Sequence, residues 1–442
     1  MAQKSDSQLQ QHIGPYQMAF YAAGSMLGAG IYGLIGQAAG IAGNAIWLSF
    51  LVALVTALLT GLSYASLGSR YPRAGGTAYI VERAFNKPAM GFLVGVCMMA
   101  SAFIGIPTLA KIFSQNFAAL FEWGDYSLPF ITVGFLFLLG VVCYRGIRES
   151  MWVNILCCCV EAGGLIFVVV SGASHWGSID YLAVPPPTES VMGLGVVFSA
   201  VMASTVFTFF AFIGFEDVMN VAEEAKDPQR TLPFGLLTAM GVVAILYIAV
   251  AITAVSVVPW EQLAESKTPL TDVIKVTAAS VPHQVFTIIA LFAITNTILV
   301  NYVTASRLLY GMAQQKLLPA KLGRVHAKRK TPHIAIGFLF LSFIPAAVLG
   351  TIGQLAAAST LLLLTVFALM NVSLVMLQRR DGEKAGKFEI HPVFPILGAI
   401  VCVGLIGARV VTGEWTAPAL AAFMVAVMLG GFFVFRKLRP VK

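Results

Sequence analysis

Along nearly the whole chain, long apolar stretches alternate with short polar ones. The apolar stretches reach the roughly 20 residues that a helix needs to cross about 30 Å of hydrocarbon. Twelve such helices are predicted, at 16–38, 44–68, 88–120, 127–145, 152–174, 195–224, 233–258, 284–312, 333–350, 352–377, 393–411 and 416–436. The polar runs between them are loop-sized, the longest being 176–190, 259–282 and 316–332, so no soluble domain can be carved out. Within the second of these, Thr268 to Lys275 has the composition of either a short helix over the outer mouth or a plain loop. Tyr71-Pro72-Arg73-Ala74-Gly75-Gly76-Thr77-Ala78-Tyr79 carries the turn residues of a tight entry into an interfacial helix.

Two of the apolar stretches contain a flaw. Gly24-Ser25-Met26-Leu27-Gly28-Ala29-Gly30-Ile31 puts three glycines into the middle of the first, and Phe209-Phe210-Ala211-Phe212-Ile213-Gly214-Phe215-Glu216 interrupts the sixth. In hydrocarbon every backbone polar group needs a partner, so a helix broken there must line a cavity or bind something. Gly24 and Gly28 also have the spacing of a small-residue packing face, which is the alternative for the first stretch taken alone. Two matched flaws, five helices apart, point instead to a transporter made of two repeats.

When a helix stops and restarts, the restarted half presents free N–H groups and the positive end of its dipole, while the first half leaves free carbonyls. The amides at Leu27, Gly28, Ala29 and Gly30 can therefore hold a carboxylate, and the missing side chains of Gly28 and Gly30 let it approach the backbone. Ser25 adds a hydroxyl. The carbonyls of Phe209 to Phe212 can receive an ammonium group, with Gly214 supplying the freedom to break. Such a pair of sites suits a zwitterion, an α-amino acid.

Composition agrees with the pattern. Of 442 residues 58% are hydrophobic and 11% charged, which cannot form the water-compatible surface of one globule. The net charge of +8 follows topology: with both termini inside, Arg70, Arg73, Arg83, Arg145, Arg148, Lys226, Arg230, the run Lys328-Arg329-Lys330, Arg379 and Arg380 fall on the cytoplasmic side. The opposite loops carry Glu122, Asp125, Asp180, Glu189, Glu261 and Glu265. Cations spread over many short loops do not make a nucleic-acid surface. The polar opening segment, Met1 to His12, has no apolar run before a cleavage site, so no removable signal is expected. Cys97, Cys143, Cys157, Cys158, Cys159 and Cys402 all fall in predicted spans and act as small filler; consecutive helical cysteines diverge by about 100° and cannot converge on a metal. No His-Glu-x-x-His occurs and the six histidines sit in the tail or near loops, so neither an intramembrane hydrolase nor a metal site is expected.

The glycine run Gly24 to Gly33, the turn Tyr71-Pro72-Arg73-Ala74-Gly75-Gly76, Gly214-Phe215-Glu216-Asp217 running on through Glu223-Glu224-Ala225-Lys226-Asp227-Pro228-Gln229-Arg230-Thr231-Leu232-Pro233, and Ser306-Arg307-Leu308-Leu309-Tyr310-Gly311-Met312-Ala313 together resemble the amino acid-polyamine-organocation (APC) superfamily of permeases. The resemblance implies an all-α membrane protein of twelve transmembrane helices with a five-plus-five inverted repeat. A cytoplasmic tail (1–15) would precede the first repeat (16–174, helices 1 to 5, helix 1 discontinuous). The second repeat (195–377, helices 6 to 10, helix 6 discontinuous) would be followed by helices 11 and 12 (393–436) and a short cytoplasmic tail (437–442). It further implies a substrate carboxylate at Leu27, Gly28, Ala29 and Gly30 with Ser25 and Met26 beside it. The amine would lie near Phe210, Ala211 and Ile213, Phe210 would be an aromatic cover, and Glu216 would help close an inner gate.

Several proton-coupled members have a lysine in helix 5 that reaches helices 1 and 8, where sodium-driven members hold an ion; counting from Asn154, the matching residue here is Glu161. Desolvation among Val160 and Leu165 disfavours a charged carboxylate, so Glu161 could take up and release a proton; a structural role and a sodium ligand are its alternatives. Lys111 is expected to snorkel from helix 3. Arg307 is expected to pair with Glu223 or Glu224, and Thr295 and Asn296 to face the pocket or helix 5.

The reading that results is secondary active transport of amino acids by alternating access, proton-coupled, with no bound cofactor and the membrane lipid and a small amino acid or amine as partners. The apolar lining of Met26, Phe210, Ala211 and Ile213 favours neutral amino acids. Cationic amino acids or polyamines, moved by symport or exchange, are the alternative, and a channel or a substrate-sensing receptor is the alternative from another class. Short tails suit a bacterial inner membrane.

Overall fold

The computed structural model describes residues 11–73, 76–185, 194–266, 268–348 and 352–411, together with a few single positions between 419 and 430. The predicted twelfth helix lies almost wholly outside the described residues. Among the described residues every regular element is helical, and the one sheet-like contact is an isolated parallel bridge between Ile13 and Ala225.

The first predicted span is two helices, α1 (Pro15–Met26) and α2 (Ala29–Ala42). There follow α3 (Ile46–Arg70), α4 (Gly76–Phe85), α5 (Pro88–Leu120), α6 (Leu128–Arg145), α7 (Ile147–Gly172) and α8 (Leu194–Phe212). A ten-residue 3₁₀ segment, Phe215–Glu224, completes the sixth predicted span. After it come α9 (Pro228–Val257), the short α10 (Trp260–Glu265) and α11 (Pro269–Thr277), then α12 (His283–Gln314), α13 (His333–Val348), α14 (Ile352–Gln378) and α15 (Val393–Val411). The segment after Thr268 is thus a helix, and the turn after Tyr71 leads into one.

Seven helical stretches among the described residues are long and apolar enough to cross a membrane, and the bent pair Gly195–Thr205 with Phe207–Glu224 makes an eighth. α7 and α9 begin about one turn earlier than the apolar pattern predicts. The cause is local: Gly146 stands in a positive-φ conformation at one start, and Pro228 occupies the first helical position at the other, where its missing N–H costs nothing. Hydropathy marks only the apolar body of such helices, not the polar turn that extends them.

In the packed interior α1 lies on α9, α2 on α8, and α5 against α12 and α14. Small hydroxyls are accommodated by bonding back to their own helix, as Thr56 does to the Val52 carbonyl (2.9 Å) and Thr205 to that of Val201 (2.7 Å).

The loop between α14 and α15 straps the rim that carries the basic loops. Glu389 takes a two-pronged bond from Arg70 (2.8 and 2.7 Å), and Glu383 accepts from the Tyr71 hydroxyl (2.6 Å) and from Arg83 (3.0 Å). Arg380 caps the end of α4 through the carbonyls of Arg83 and Ala84. Burial alone would raise the Glu383 carboxyl, but the Tyr71 and Arg83 hydrogen bonds outweigh it and hold Glu383 below the usual carboxylate range.

Candidate functional site

The first break has a definite backbone geometry. α1 ends at Met26, Leu27 (φ −61°, ψ 132°) and Gly28 (φ 162°, ψ −160°) are extended, and α2 restarts at Ala29. Glycine is required here by crowding: a Cβ on Gly28 would overlap the Thr297 hydroxyl, and one on Gly30 would stand 2.9 Å from the Cα of Ala211. The packing role that the glycine spacing allows and the helix break are therefore both real, and the same residues serve them.

At the second break α8 ends at Phe212, and Gly214 takes φ +122°, a region that disfavours side chains. A Cβ there would also lie 2.6 Å from both the carbonyl and the hydroxyl oxygen of Ser25. The two breaks thus touch each other. The Ser25 hydroxyl donates to the Asp217 carboxylate, and Glu216 folds back to accept the Gly214 N–H (2.9 Å).

A cavity of about 300 Å³ lies against both breaks, large enough for one small solute. Of the residues that the sequence singles out, Ser25, Met26, Gly28, Gly30, Phe210, Ala211 and Ile213 border it. Leu27 does not; it is buried at 2% exposure. Ala29 contributes the first residue of α2. The far walls come from α5, α12 and α14, where Thr297, Asn301 and Thr304 face the cavity and a hydroxyl pair, Ser101 with Ser359, joins α5 to α14.

Glu216 and Asp217 form the floor, only 3% and 4% exposed. Beyond them, toward the basic loops, the protein is closed. Tyr21 and Thr304 share a hydrogen bond (2.9 Å), and a buried ion pair joins Arg307 to Glu224 (2.8 Å), which resolves the choice between Glu223 and Glu224 in favour of the latter. The segment before α1 is pinned to the same place, with the His12 and Ile13 N–H groups on the Glu224 carbonyl (both 3.0 Å).

Free carbonyls at the first break are largely covered by side chains: Asn296, which the sequence places toward the pocket or helix 5 and which the structure joins to Asn154 of α7, and Tyr247 and Thr297, which sequence reasoning missed. Asn296 donates to Gly24 (3.1 Å), Tyr247 to Met26 (2.6 Å) and Thr297 to Leu27 (3.5 Å). At the second break the Phe210 carbonyl already accepts the Ile213 N–H (3.2 Å). Such partners are hard to find from sequence because Asn, Tyr and Thr inside an apolar run carry no signal of which backbone they will cap.

Glu161 sits on α7, fully buried, outside the cavity wall. Its neighbours are the residues that hold both halves of the broken helix. Asn296 lies beside it, bridging Asn154 (2.8 Å) to the end of α1, Tyr247 lies close by, and Tyr32 on α2 donates to its backbone carbonyl (3.5 Å). Neither carboxylate oxygen has a well-formed hydrogen bond among the described residues.

The family profile described as amino acid permease matches residues 13–438. A branched-chain amino acid permease of Bacillus subtilis is 27% identical over 425 residues, covering 92% of this chain and 89% of the relative. A methylthioribose transporter of the same organism is 25% identical over 424 residues, 91% of this chain and 89% of its own length. A chloroplastic cationic amino acid transporter of Arabidopsis thaliana is 29% identical over 342 residues, 73% of this chain and 58% of that larger protein.

Proposed function

The chain belongs to the amino acid permease family, a family of multi-pass membrane transporters and not of enzymes, and from that membership we propose that it carries neutral amino acids by alternating access, driven by protons. The observation that carries the reading is the cavity of about 300 Å³ between the two touching helix breaks, walled in part by Met26, Phe210, Ala211 and Ile213. The carboxylate of the substrate meets the amides that open α2 at Gly28, Ala29 and Gly30, where Gly28 and Gly30 carry no side chain of their own. Its apolar side chain points to α5 and α14. The branched-chain relative takes, by its name, amino acids with uncharged side chains, and the methylthioribose relative a neutral thio-sugar, and both kinds of solute fit that lining.

In this reading the helices form a five-plus-five inverted repeat of a twelve-helix protein, and the basic loops and both termini are cytoplasmic. The closed floor then faces the cytoplasm and the conformation is outward-facing, with Glu216 and the Glu224–Arg307 pair in the inner gate. Glu161 carries the coupling proton. Its position beside Asn296, Tyr247 and Tyr32 gives its charge a direct grip on the two halves of helix 1.

A second reading, transport of cationic amino acids, has a specific observation in its favour: the two carboxylates at the cavity floor. Uptake into proteoliposomes separates the two. Radiolabelled leucine should accumulate against its gradient when the outside is acidic, and a protonophore should abolish the accumulation. Accumulation of lysine but not leucine would select the second reading, and dissipative flux without saturation would replace the carrier with a channel.

A further inference from the structure

The polar start of α9 carries a second hollow, apart from the central cavity. About 630 Å³ in size, it opens between the first three turns of that helix and the loop joining α14 to α15, with Phe234, Leu237 and Phe388 on its walls and Arg230 and Lys387 beside them. α9 is one of the helices long and apolar enough to cross a membrane. Its apolar body begins at Leu232, so the hollow lies at the depth where a bilayer passes from headgroups to acyl chains.

The charges at this hollow are unevenly matched. A single carboxylate, Asp227, stands 3.3 Å from the Lys387 ammonium and 3.8 Å from the Arg230 guanidinium, the second distance being too long for a hydrogen bond. All three side chains are about half exposed or more (Lys387 48%, Asp227 52%, Arg230 77%), so the pairing is loose and screened by water. Lys226, also exposed, adds a further positive charge next to Asp227 in the chain. A net positive charge remains, and Arg230 keeps a planar fork of donors that matches a phosphate.

Beyond the cations the helix continues as an apolar track. Phe234, Val242 and Ile245 are exposed and fall within about 80° of one another around α9. Leu236, Met240 and Val243, on the other side, are buried. From Phe234 to Ile245 the track runs about 16 Å, most of the length of an acyl chain.

We infer that this groove binds an anionic phospholipid, its phosphate held by Arg230 and Lys387 and one acyl chain lying along Phe234, Val242 and Ile245. A zwitterionic lipid would bring its own cation to a place that already holds three against one carboxylate. A second copy of this chain would bring the same basic rim, and the segment 436–442, with Arg436, Lys437, Arg439 and Lys442, would be repelled. The site also reaches α1: the Phe234 ring meets that of Tyr16 edge to face at 5.9 Å, in the first turn of the helix whose other end borders the central cavity. A lipid seated on Phe234 therefore bears on the packing of α1 as well as of α9.

The test uses the purified full-length protein in detergent micelles doped with dioleoyl phosphatidylglycerol or dioleoyl phosphatidylcholine, read by thermal melting and by native mass spectrometry. Phosphatidylglycerol should raise the melting temperature more than phosphatidylcholine at equal mole fraction. Arg230→Gln combined with Lys387→Gln should weaken the tightest-bound phosphatidylglycerol by about tenfold or more. Lys328→Gln combined with Arg329→Gln, which removes the same charge from another exposed basic loop, should leave it at wild-type strength. Equal losses in both double variants, or equal binding of the two lipids by the wild type, overturns the assignment. The same stabilisation by inorganic phosphate in phosphatidylcholine micelles would make this a free-anion site and overturns it too, as would a wild-type dimer that the Arg230 and Lys387 changes dissociate without any lipid preference. If that variant fails to fold, the wild type decides alone: a phosphatidylglycerol with a photoreactive diazirine in its acyl chain should crosslink to α9 between Phe234 and Ile245, and crosslinks spread evenly over the exposed helices overturn the site. None of these readouts involves the transported solute, so the inference stands or falls apart from the substrate reading.

Discussion

Ser25 and Asp217 are 192 positions apart in the chain, yet the hydroxyl of the first donates to the carboxylate of the second and ties the end of α1 to the turn that follows α8. One bond thereby couples both helix breaks. Ser25→Ala removes the donor and leaves a buried carboxylate oxygen facing an apolar methyl, at a cost of about 1–3 kcal/mol. The melting temperature of the purified variant should fall, and its transport KM for leucine should rise more than its kcat changes, since this bond holds together the two breaks that border the cavity.

Gly214→Ala tests the contact from the other side. The residue stands at φ +122°, and the added methyl would meet the Ser25 backbone 2.6 Å away, so neither the conformation nor the space admits it. Strain of this kind amounts to about 1–3 kcal/mol before the clash is counted. The expected outcome is a poorly assembled protein with transport near background, whereas alanine at Gly241, where a Cβ would meet nothing within 4 Å, should leave uptake and yield unchanged.

The buried Arg307–Glu224 pair predicts a particular pattern of non-additivity. Both side chains are essentially unexposed, and the remaining oxygen of Glu224 and one guanidinium nitrogen of Arg307 have no hydrogen bond among the described residues. Removing one partner strands the other, so Arg307→Met or Glu224→Gln alone should destabilise by about 3–5 kcal/mol. The double variant should recover a good part of that loss in a thermal-melting cycle, while staying defective in transport if the pair belongs to the inner gate proposed above.

Glu161 gives a prediction that separates coupling from binding. It lies outside the cavity wall but beside the side chains that cap helix 1. Glu161→Gln keeps the shape and removes the titration, so exchange of leucine for leucine should persist while accumulation driven by a proton gradient disappears. Native pH dependence of uptake in this variant would move the proton to another group.

The breaks themselves were legible in the sequence because glycine density in an apolar run has few explanations, and because the flaw occurs twice at matching positions. Seven spans, and an eighth as a bent pair, were legible among the described residues because hydrocarbon imposes a length. What escaped was everything that depends on which residues meet across the interior. The bond between Ser25 and Asp217, the Asn296, Tyr247 and Thr297 caps and the burial of Leu27 all follow from how helices cross, and no local pattern encodes a crossing. The 3₁₀ winding of Phe215–Glu224 escaped for a related reason: its apolar content is compatible with either helix type, and the choice is made by Gly214 and by the bonds at Glu224. Asp217 stands next to a residue that the sequence did single out, and its place beside the cavity and its bond from Ser25 became visible only with the structure.

The strap on the basic rim predicts how stability depends on pH. Glu383 is held below the usual carboxylate range by the Tyr71 and Arg83 hydrogen bonds, against the opposing effect of burial. A carboxyl depressed in the folded state adds stability above its unfolded value, and that addition is lost as pH falls through the lower, folded value. At neutral pH the wild type should therefore melt higher than Glu383→Gln. The gap should hold down to mildly acidic pH, begin to shrink once pH drops through the ordinary glutamate range of about 4.3, and close below it. A gap that stayed constant into strong acid would mean that Glu383 contributes packing alone. Arg83→Met should lower the melting temperature at neutral pH by a similar amount and, combined with Glu383→Gln, add little further, since both changes open the same contact between α4 and the α14–α15 loop.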